Sequence, residues 1–268
     1  MITVSVVIVS YNTRADLERC LEALHAAPPA ASHEIIVVDN ASTDGSVDAA
    51  RRWPSVRAIA NDRNVGFARA NNIGIRASRG SHLLVLNSDT ALPAGAVDRL
   101  LAELAADQTV GVVGPRLVDG QGRSELSFGR MMGPLNELRQ KRAGRKSVDD
   151  VTRSRRHPDW VSGACLMVRR ADAEAVGLFD ERFFMYAEDV DFCAAIRALG
   201  RRILFAPDIE VVHLRGRSAA TAPVQTSTAY RRSQIAFYEK HHPRWAPLLR
   251  LYLRLRRIEG AGEAGKAG

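Results

Sequence analysis

The sequence predicts an α/β protein whose mostly parallel sheet is flanked by helices. Strand and helix signals alternate along the first half of the 268 residues, and this alternation is typical of parallel strands joined by crossover helices. Polar residues follow three of the predicted strands, at Tyr11-Asn12, Asp39-Asn40 and Asn87-Ser88-Asp89. Because such sheets bind ligands at the carboxyl ends of their strands, we expect these residues to share one ligand site.

Hydrophobic patterning and chain breakers define the elements of the first half. "TVSVVIVSYN" is a β-branched run that predicts a buried strand, and "TRADLERCLEALHAA" has leucines at helical spacing before Pro28-Pro29. The same criteria predict further strands at "HEIIVVDN", "VRAIAND", "SHLLVLNSD" and "VGVVGPRLV". They predict further helices at "SVDAARRW", "GFARANNIGIRASRG" and "AGAVDRLLAELAAD".

The second half begins with a segment of weak pattern. Residues 119–157 are rich in Gly, Arg and polar residues, which predicts a largely mobile loop with one short helix. Order then returns as a strand in "DWVSGACLMVRR", a helix, a turn and a second helix, "AEDVDFCAAIRALG". Two separate strands, "RRILFAP" and "IEVVHL", are expected to follow.

The positive charge is concentrated in two segments. The chain has a net charge of +8, yet residues 130–156 hold nine Lys and Arg against three acids, and residues 240–257 hold six against none. The rest of the chain is therefore net negative, which indicates local anionic partners for the two segments.

Other features of the sequence predict a protein of the cytosol. No apolar run approaches the roughly 20 residues that a membrane-spanning helix needs, and the start, "MITVSVVIVSYN", has neither a basic leader nor a small-residue cleavage site. The three cysteines, at positions 20, 165 and 193, show no metal-binding spacing, so we expect buried, reduced thiols.

The loop after the second strand carries Asp39, Asn40, Ser42 and Asp44. Turn and N-cap hydrogen bonding accounts well for Ser42 and Asp44. It accounts poorly for Asp39, because an acid at the end of a buried strand is costly without a donor to meet it. A nucleobase imide N–H or a ribose hydroxyl would be such a donor.

Asp89 and His213 each have an ordinary interpretation. Asp89 fits a helix cap before Pro93, and His213, which ends "IEVVHL", fits a core or edge histidine. As a pair they fit a divalent ion such as Mn²⁺ or Mg²⁺, which is bound by few protein ligands together with substrate phosphates.

Three acids, Glu188, Asp189 and Asp191, open a predicted helix. The helix dipole favours acids in a first turn, but their mutual repulsion can also raise one pKa towards that of a general base. The preceding "FFMY" fits either a sugar-binding wall or core. Dinucleotide, P-loop, zinc and serine-hydrolase motifs are absent from the sequence.

Seven motifs in order resemble the inverting family 2 glycosyltransferases of the GT-A fold, and most closely their bacterial rhamnosyltransferase-type members. They are "VSVVIVSYN", "VVDNASTDGS", "NVGFARANNIGI", "LNSDT", "VSGACLMVRR", "FDERFFMYAEDVDFCAAIRALG" and "VVHLRGRS". The resemblance runs from about Val4 to Ser218, with a weaker tail to His242. It implies a GT-A (Rossmann-like) fold and a nucleoside diphosphate sugar donor.

The resemblance also implies roles for individual residues. Asp189 would be the base that deprotonates the acceptor hydroxyl, with Glu188 and Asp191 orienting the acceptor or the base. Asp89 and His213 would be metal ligands, and Asp39 would hold the nucleobase. The nucleotide-sugar site as a whole would comprise Ser10, Asn12, Asp39, Asn40, Asp44, Gly66, Asn72, Asn87, Ser88, Arg215 and Ser218.

One residue departs from the family pattern. Asn87 stands where the metal-binding motif often begins with Asp, and the loss of one charge should weaken direct coordination of Mn²⁺ or Mg²⁺. An Asn carbonyl can still ligate a metal or bind a metal-bound water.

We expect one GT-A domain over residues 1–240, with a nucleotide-sugar-binding half (1–115) and an acceptor-side half (116–240) that carries the base. A basic amphipathic helix would follow at 241–258, and a disordered tail at 259–268. In "RWAPLLRLYLRLRRI" the residues Trp245, Leu248, Leu249, Tyr252 and Leu255 fall on one side. That side would dock on the protein's own core or lie on an anionic membrane.

The expected function is therefore sugar transfer, with rhamnose from dTDP-rhamnose as the candidate donor group. The acceptor would be a hydroxyl of a polyprenyl-diphosphate-linked saccharide, reached at the inner face of the plasma membrane. The alternatives are a sugar nucleotidyltransferase, whose GxGxR-type opening is missing, and a catalytically silent nucleotide-sugar-binding module. No aromatic interleaving or motif supports binding of nucleic acid.

Overall fold

The sheet is built outwards from its first strand, β1 (Val4–Ser10), all of whose residues are buried. In this computed structural model, which describes residues 2–133, 148–214 and 223–255, β1 pairs in parallel with β2 (His33–Asp39) and β4 (His82–Asn87). β3 (Val56–Ala60) pairs in parallel with β2. A strand covered on both faces needs apolar side chains throughout, which explains the continuous β-branched run.

The other half of the sheet is mixed. β9 (Cys165–Arg169) runs antiparallel between β4 and β6 (Val110–Val118), and β10 (Arg202–His213) runs parallel to β6. The short β5 (Thr90–Ala91) closes the edge antiparallel to β10. Eight strands of the described chain thus form one sheet in the order β3-β2-β1-β4-β9-β6-β10-β5, and the predicted α/β class is confirmed.

Helices cover both faces of this sheet. α1 (Arg14–Ala26) and α4 (Ala96–Ala106) pack on one face against the side chains of Val6 and Ile8. α3 (Phe67–Ala77) and α7 (Glu188–Ala198) pack on the other face. α2 (Ser46–Arg51) and α6 (Arg170–Ala175) are shorter connections.

Three parts of the second half differ from the sequence prediction. Within the described part of residues 119–157, β7 (Phe128–Gly129) is an unexpected strand that pairs with β8 (Trp160–Val161), whereas α5 (Val148–Thr152) agrees with the one short helix expected there. The single strand expected in "DWVSGACLMVRR" is divided into β8 and β9. The two separate strands expected at "RRILFAP" and "IEVVHL" are one strand, β10, whose pairing register with β6 shifts between Ala206 and Glu210. Pro207 lacks an amide donor, so the strand bulges there and continues.

The last two described helices are α8 (Pro223–His241) and α9 (Ala246–Leu255). They pack on α7 through a cluster of Phe183, Ala187, Val190, Phe237, Tyr238 and Ala246. The predicted helix at 241–258 is therefore present from residue 246, and residues 256–268 lie outside the described residues. The expected division at residue 115 falls inside β6.

The three cysteines are buried as free thiols, as predicted. Burial raises the pKa of Cys20 and of Cys193 to about 12, so neither thiol ionises near neutral pH.

Gly66 is a point where backbone conformation and space both require glycine. It precedes α3 with φ +85° and ψ 169°, a region essentially reserved for glycine. A Cβ atom there would lie 2.4 Å from the backbone oxygen of Phe184. Gly95 precedes α4 with a similar φ of +74° but has open space around it.

We therefore expect Gly66→Ala to lower the free energy of unfolding by at least about 3 kcal/mol, because strain and overlap with Phe184 add. Gly95→Ala should lower it by only about 1 kcal/mol, the cost of a left-handed conformation alone. Urea denaturation of both variants measures the difference. Equal losses would show that the contact with Phe184 is not restrictive.

Candidate active site

The polar strand ends meet at one edge of the sheet, as the sequence predicts. The parallel register places Ser10 beside Asp39 and Val9 beside Asn87. The backbone amide of Asn87 donates to the carbonyl of Ala164, 2.9 Å away, and this bond brings the chain just before β9 to the same edge.

Asp39 has a buried oxygen that the protein does not satisfy. Its Oδ2 accepts from the Ser42 amide at 2.8 Å, whereas no described residue donates to its Oδ1. Buried polar atoms are nearly always hydrogen-bonded in native proteins. The free acceptor is therefore suited to a ligand N–H or O–H.

Asn12 and Asp44 join two loops at this corner. The backbone amide of Asn12 donates to the Ser42 hydroxyl, and the side-chain oxygen Oδ1 of Asn12 accepts from the backbone amide of Thr43; both distances are 2.8 Å. Asp44 accepts from the amide of Arg14 at 2.8 Å. Burial acts to raise the pKa of Asp44, but hydrogen bonds from Ser46 and the Arg14 amide outweigh it and lower the pKa.

A chain of hydroxyls connects the first loop to the end of β4. The Thr13 hydroxyl lies 3.1 Å from that of Ser10 and 2.8 Å from that of Ser88.

Asn40 contacts the loop before α3, where its side-chain amide donates to the carbonyl of Gly66 at 3.3 Å. Most of the residues assigned to the nucleotide sugar are thus brought together.

Asn72 is used differently. Its side chain is buried and exchanges hydrogen bonds with the backbone of Phe179, at 2.8 and 3.0 Å, and donates to Glu181. This amide joins α3 to the segment before α7 and is not among the strand-end polar groups. Arg215 and Ser218, also assigned to the nucleotide sugar, lie outside the described residues.

Asp89 and His213 are in contact. The Nε2 atom of His213 lies 3.3 Å from Oδ1 of Asp89 and 3.5 Å from the Asn87 side-chain nitrogen. β5 pairs with β10, and the Leu214 amide donates to the Asp89 carbonyl, so backbone bonds fix this approach. Burial acts to lower the pKa of His213, but its bonds to Asp89 and Glu125 outweigh burial and raise it.

This corner fits a divalent cation that is shared with a substrate diphosphate. Within the described residues no group of three or more His, Cys, Asp or Glu could hold a metal ion by itself. Mg²⁺ and Mn²⁺ in phosphate-transfer sites commonly use one or two protein ligands and complete their shell with substrate oxygens and water. Asp89 and His213 are adequate for that arrangement, whereas the Asn87 side chain presents its nitrogen and not its oxygen to His213.

The first two acids of α7 differ in burial and in partners: Glu188 is buried, whereas Asp189 is half-buried. Asp189 accepts at Oδ2 from the Gly163 amide, 3.0 Å away, while Oε2 of Glu188 has no partner within the described residues. Burial raises the pKa of Asp189, although the Gly163 bond acts against the shift, and burial together with the Asp189 charge raises the pKa of Glu188 well above its usual value. Perturbed carboxyls of this kind cluster at catalytic sites.

The turn before α7 is strained. Tyr186 and Ala187 both have left-handed backbones, with φ of 72° and 63°, which costs energy in non-glycine residues. Of the two phenylalanines in "FFMY", Phe183 is buried in the core and Phe184 is exposed.

Asp191 faces away from this pair, towards α8. Its carboxylate accepts from Lys240 at 2.9 Å and contacts Nε2 of His241 at 2.6 Å. The assignment of Asp191 to acceptor or base orientation stays a prediction, because the structure engages the carboxylate in holding α8 against α7.

Sequence reasoning missed three residues of the site: Thr13, Gly163 and Glu125. Thr13 stood in the first loop as a visible hydroxyl next to Asn12, so its neighbourhood was a usable signal. Gly163 stands inside the motif "VSGACLMVRR", which was a usable signal, whereas Glu125 carried none, because its contact with His213 depends on the pairing of β6 with β10.

A mixed sheet of this order, with polar side chains gathered at its strand ends, an Asp–His contact and two carboxyls of raised pKa, is the arrangement expected of a GT-A glycosyltransferase. Residues 5–177 match the sequence model of glycosyl transferase family 2, so the chain belongs to that family. The chain is 32% identical to an N-acetylglucosaminyl-diphospho-decaprenol L-rhamnosyltransferase of Mycobacterium tuberculosis, over 91% of this chain and 87% of the relative.

Other relatives are more distant. A low-salt glycan biosynthesis hexosyltransferase of Haloferax volcanii is 26% identical over 78% of this chain and 66% of its own length. A mannosyltransferase of Pyrobaculum calidifontis, solved with GDP-Man and Mn²⁺, superposes with a TM-score of 0.64 at 22% identity, covering 95% of this chain and 70% of that one. At this identity the superposition establishes the fold.

Burial of Glu188 predicts a pH-dependent stability effect. Its pKa is raised above the usual 4.5 in the folded state, so the wild-type protein loses stability as the pH rises from that value through the folded-state pKa. Glu188→Gln has no proton to lose, and its stability relative to wild type should therefore rise with pH, by more than about 1 kcal/mol. Urea denaturation between pH 4 and pH 8 measures this trend.

Glu181→Gln is the matched control with the opposite sign. A hydrogen bond from Asn72, and then one from Arg76, lower the pKa of Glu181, so its carboxylate stabilises the protein above pH 4.5. That variant should lose stability relative to wild type as the pH rises. Parallel trends for the two variants would contradict the assignment of Glu188 as a buried, destabilising carboxyl.

Proposed function

We propose that the chain is an inverting glycosyltransferase that moves a rhamnosyl group from dTDP-rhamnose to a hydroxyl of a polyprenyl-diphosphate-linked saccharide, in cell-envelope polysaccharide synthesis. The observation that carries the transferase assignment is the link between base and metal corner. Asp189 accepts from Gly163, and the next residue, Ala164, accepts from Asn87. The donor sugar and acceptor are supported by the name of the mycobacterial relative.

The donor would lie along the strand ends. The unsatisfied oxygen of Asp39 would accept from the nucleobase, and the hydroxyls of Ser10 and Ser88 would face the ribose and diphosphate. Asp89 and His213, with Asn87, would hold a divalent cation, Mn²⁺ or Mg²⁺. The cation would neutralise the charge that develops on the departing diphosphate.

Asp189 would perform the proton transfer. Its carboxylate would take the proton from the acceptor hydroxyl while that oxygen forms a bond to the anomeric carbon, and the bond from that carbon to the diphosphate oxygen breaks with its electron pair. Attack from the face opposite the leaving group inverts the configuration. The Gly163 amide holds the carboxylate in place, and burial together with the Asp189 charge raises the pKa of the neighbouring Glu188, which disfavours a second negative charge beside the base.

Thermal stabilisation and transfer assays test the substrate assignment. Purified protein would be screened with nucleotide sugars, with and without Mn²⁺, and then assayed with a polyprenyl-diphosphate-linked N-acetylglucosamine acceptor. Selective stabilisation by dTDP-rhamnose and transfer to that acceptor are expected. Turnover with another nucleotide sugar alone would correct the donor, and the absence of any transfer or donor binding would contradict the transferase assignment.

Asp189→Asn should lower turnover by at least roughly 10²–10⁴-fold, because proton removal is lost, while stabilisation by the donor is retained. In the wild type, the rate should fall as acid protonates Asp189, at a pH above the ordinary aspartate value of 3.8 since burial raises this pKa. That acid limb should be absent from the residual activity of the variant. Near wild-type turnover of Asp189→Asn would exclude it as the base.

We further propose that the protein associates peripherally, through α9, with the cytoplasmic face of an anionic membrane. None of the helices in the described part of the chain is long and apolar enough to cross a bilayer. α9 buries Ala246 and Leu253 against the protein, whereas Leu248, Leu251 and Leu255 are 56%, 54% and 76% exposed. Most of the apolar side that the sequence predicts is therefore exposed, and a different side of α9 packs against the protein.

The charge near this exposed stripe suits anionic lipid. Residues 240–257 contain six Lys and Arg and no acid, and Arg250 and Arg254 are exposed on α9 beside the docked side. An interfacial helix buries such an apolar stripe at the acyl boundary while its arginines meet the headgroups.

Leu248→Ser combined with Leu251→Ser should weaken binding to phosphatidylglycerol vesicles by more than about 10-fold at low salt, since each buried leucine contributes about 1.5–3 kcal/mol. Leu199→Ser, which changes an exposed leucine at the end of α7, is the control and should bind as wild type does. Vesicle co-sedimentation measures both. A folded wild type that does not bind these vesicles, or that buries the stripe in a stable dimer, would contradict the membrane proposal.

A further inference from the structure

His213 lies between two carboxylates that approach different ring nitrogens. Nε2 faces Oδ1 of Asp89 at 3.3 Å, and Nδ1 faces Oε2 of Glu125 at 3.1 Å. The side chains of all three residues are at most 12% exposed. Since the two nitrogens of an imidazole point in divergent directions, Glu125 and Asp89 lie at different edges of the ring, Glu125 at the Nδ1 edge and Asp89 at the Nε2 edge.

Backbone pairing holds Glu125 in this place. Its amide donates to the carbonyl of Leu117 at 2.9 Å, and Ser124 forms a bridge with Val118, so the chain after β6 turns back along that strand. β6 is paired with β10 beside Val212, the neighbour of His213. The position of the Glu125 carboxylate is therefore set by a turn that is hydrogen-bonded to β6.

We propose that Glu125 is a positioning residue for His213. Its carboxylate accepts a hydrogen bond from the Nδ1–H group, which fixes the ring orientation and the tautomer and leaves Nε2, on the Asp89 side, available to ligate a cation. Histidines that ligate metals commonly donate their second ring N–H to a carboxylate in this way, and loss of that partner lowers metal affinity. This inference rests on the metal corner of the proposed function and adds a residue to it.

Glu125 acts through His213 and not as a third ligand. A direct ligand would have to face the Nε2 side, where Asp89 and Asn87 lie, but Glu125 contacts Nδ1. Within the described residues the Asp89–His213–Glu125 arrangement also does not form a group that could hold a metal ion by itself.

The test uses Mn²⁺ alone as the probe, with its affinity for the full-length protein measured from the electron paramagnetic resonance signal of the free ion. Glu125→Ala should raise the Kd for Mn²⁺ by roughly 10–100-fold. Glu125→Gln, whose amide oxygen can still accept from Nδ1, should recover part of that affinity. His213→Asn and His213→Ala serve as references for loss of the imidazole ligand, the second because it leaves no side-chain oxygen for the metal.

The double variant Glu125→Ala with His213→Asn separates positioning from ligation. If Glu125 acts through His213, the double variant should bind Mn²⁺ no more weakly than His213→Asn alone; additive losses would make Glu125 a direct ligand and overturn the inference. Glu210→Gln removes a carboxylate from β10 that contacts Arg116 and not His213, and it should leave the Kd unchanged. If Glu210→Gln weakened Mn²⁺ binding as much as Glu125→Ala does, the effect would come from the overall loss of negative charge and the inference would be overturned.

A second readout follows the ring directly. In ¹⁵N-histidine spectra recorded with Mg²⁺, the wild type should show the proton on Nδ1 of His213, and Glu125→Ala should lose that signature. If His213→Asn weakens Mn²⁺ binding but Glu125→Ala keeps both the wild-type Kd and the signature, only the inference on Glu125 fails. If His213→Ala binds Mn²⁺ as the wild type does, the metal site of the proposed function fails with it.

Discussion

The site depends on the direction of one strand, β9. Because β9 runs antiparallel to β4, it begins where β4 ends, and the hydrogen bond from Asn87 to Ala164 joins those two points. In a fully parallel sheet the start of β9 would lie at the opposite edge. The reversed strand thus brings Gly163, and through it Asp189, to the edge that carries Asp39, Asp89 and His213.

The same edge concentrates features that do not stabilise the fold. Asp39 and Glu188 have buried oxygens without partners in the described chain, and Tyr186 and Ala187 adopt left-handed backbones. Unsatisfied groups and local strain persist where surrounding structure enforces them, and they concentrate at functional sites. Here the enforcement is visible, since the core cluster of Phe183, Val190 and Phe237 encloses the strained turn.

The sequence predicted best where local pattern determines the outcome. Alternating strands and helices fixed the positions of Ser10, Asp39 and Asn87, because the carboxyl ends of parallel strands necessarily share an edge. Local pattern did not give the continuity of β10 across Pro207 or the contact of Glu125 with His213, because both depend on pairing with β6. Nor could it separate the three acids of α7, whose environments differ because Gly163 lies beside Asp189 and α8 lies beside Asp191.

α7 connects the two ends of the proposed reaction. Its first turn presents Asp189 to Gly163 at the sheet edge, and Asp191, half a turn further, is bound by Lys240 and His241 of α8. Phe237 and Tyr238 of α8 pack in turn with Ala246 of α9. If α9 lies on the membrane as proposed, the helix that carries the base is joined to the lipid surface by one continuous set of packed contacts.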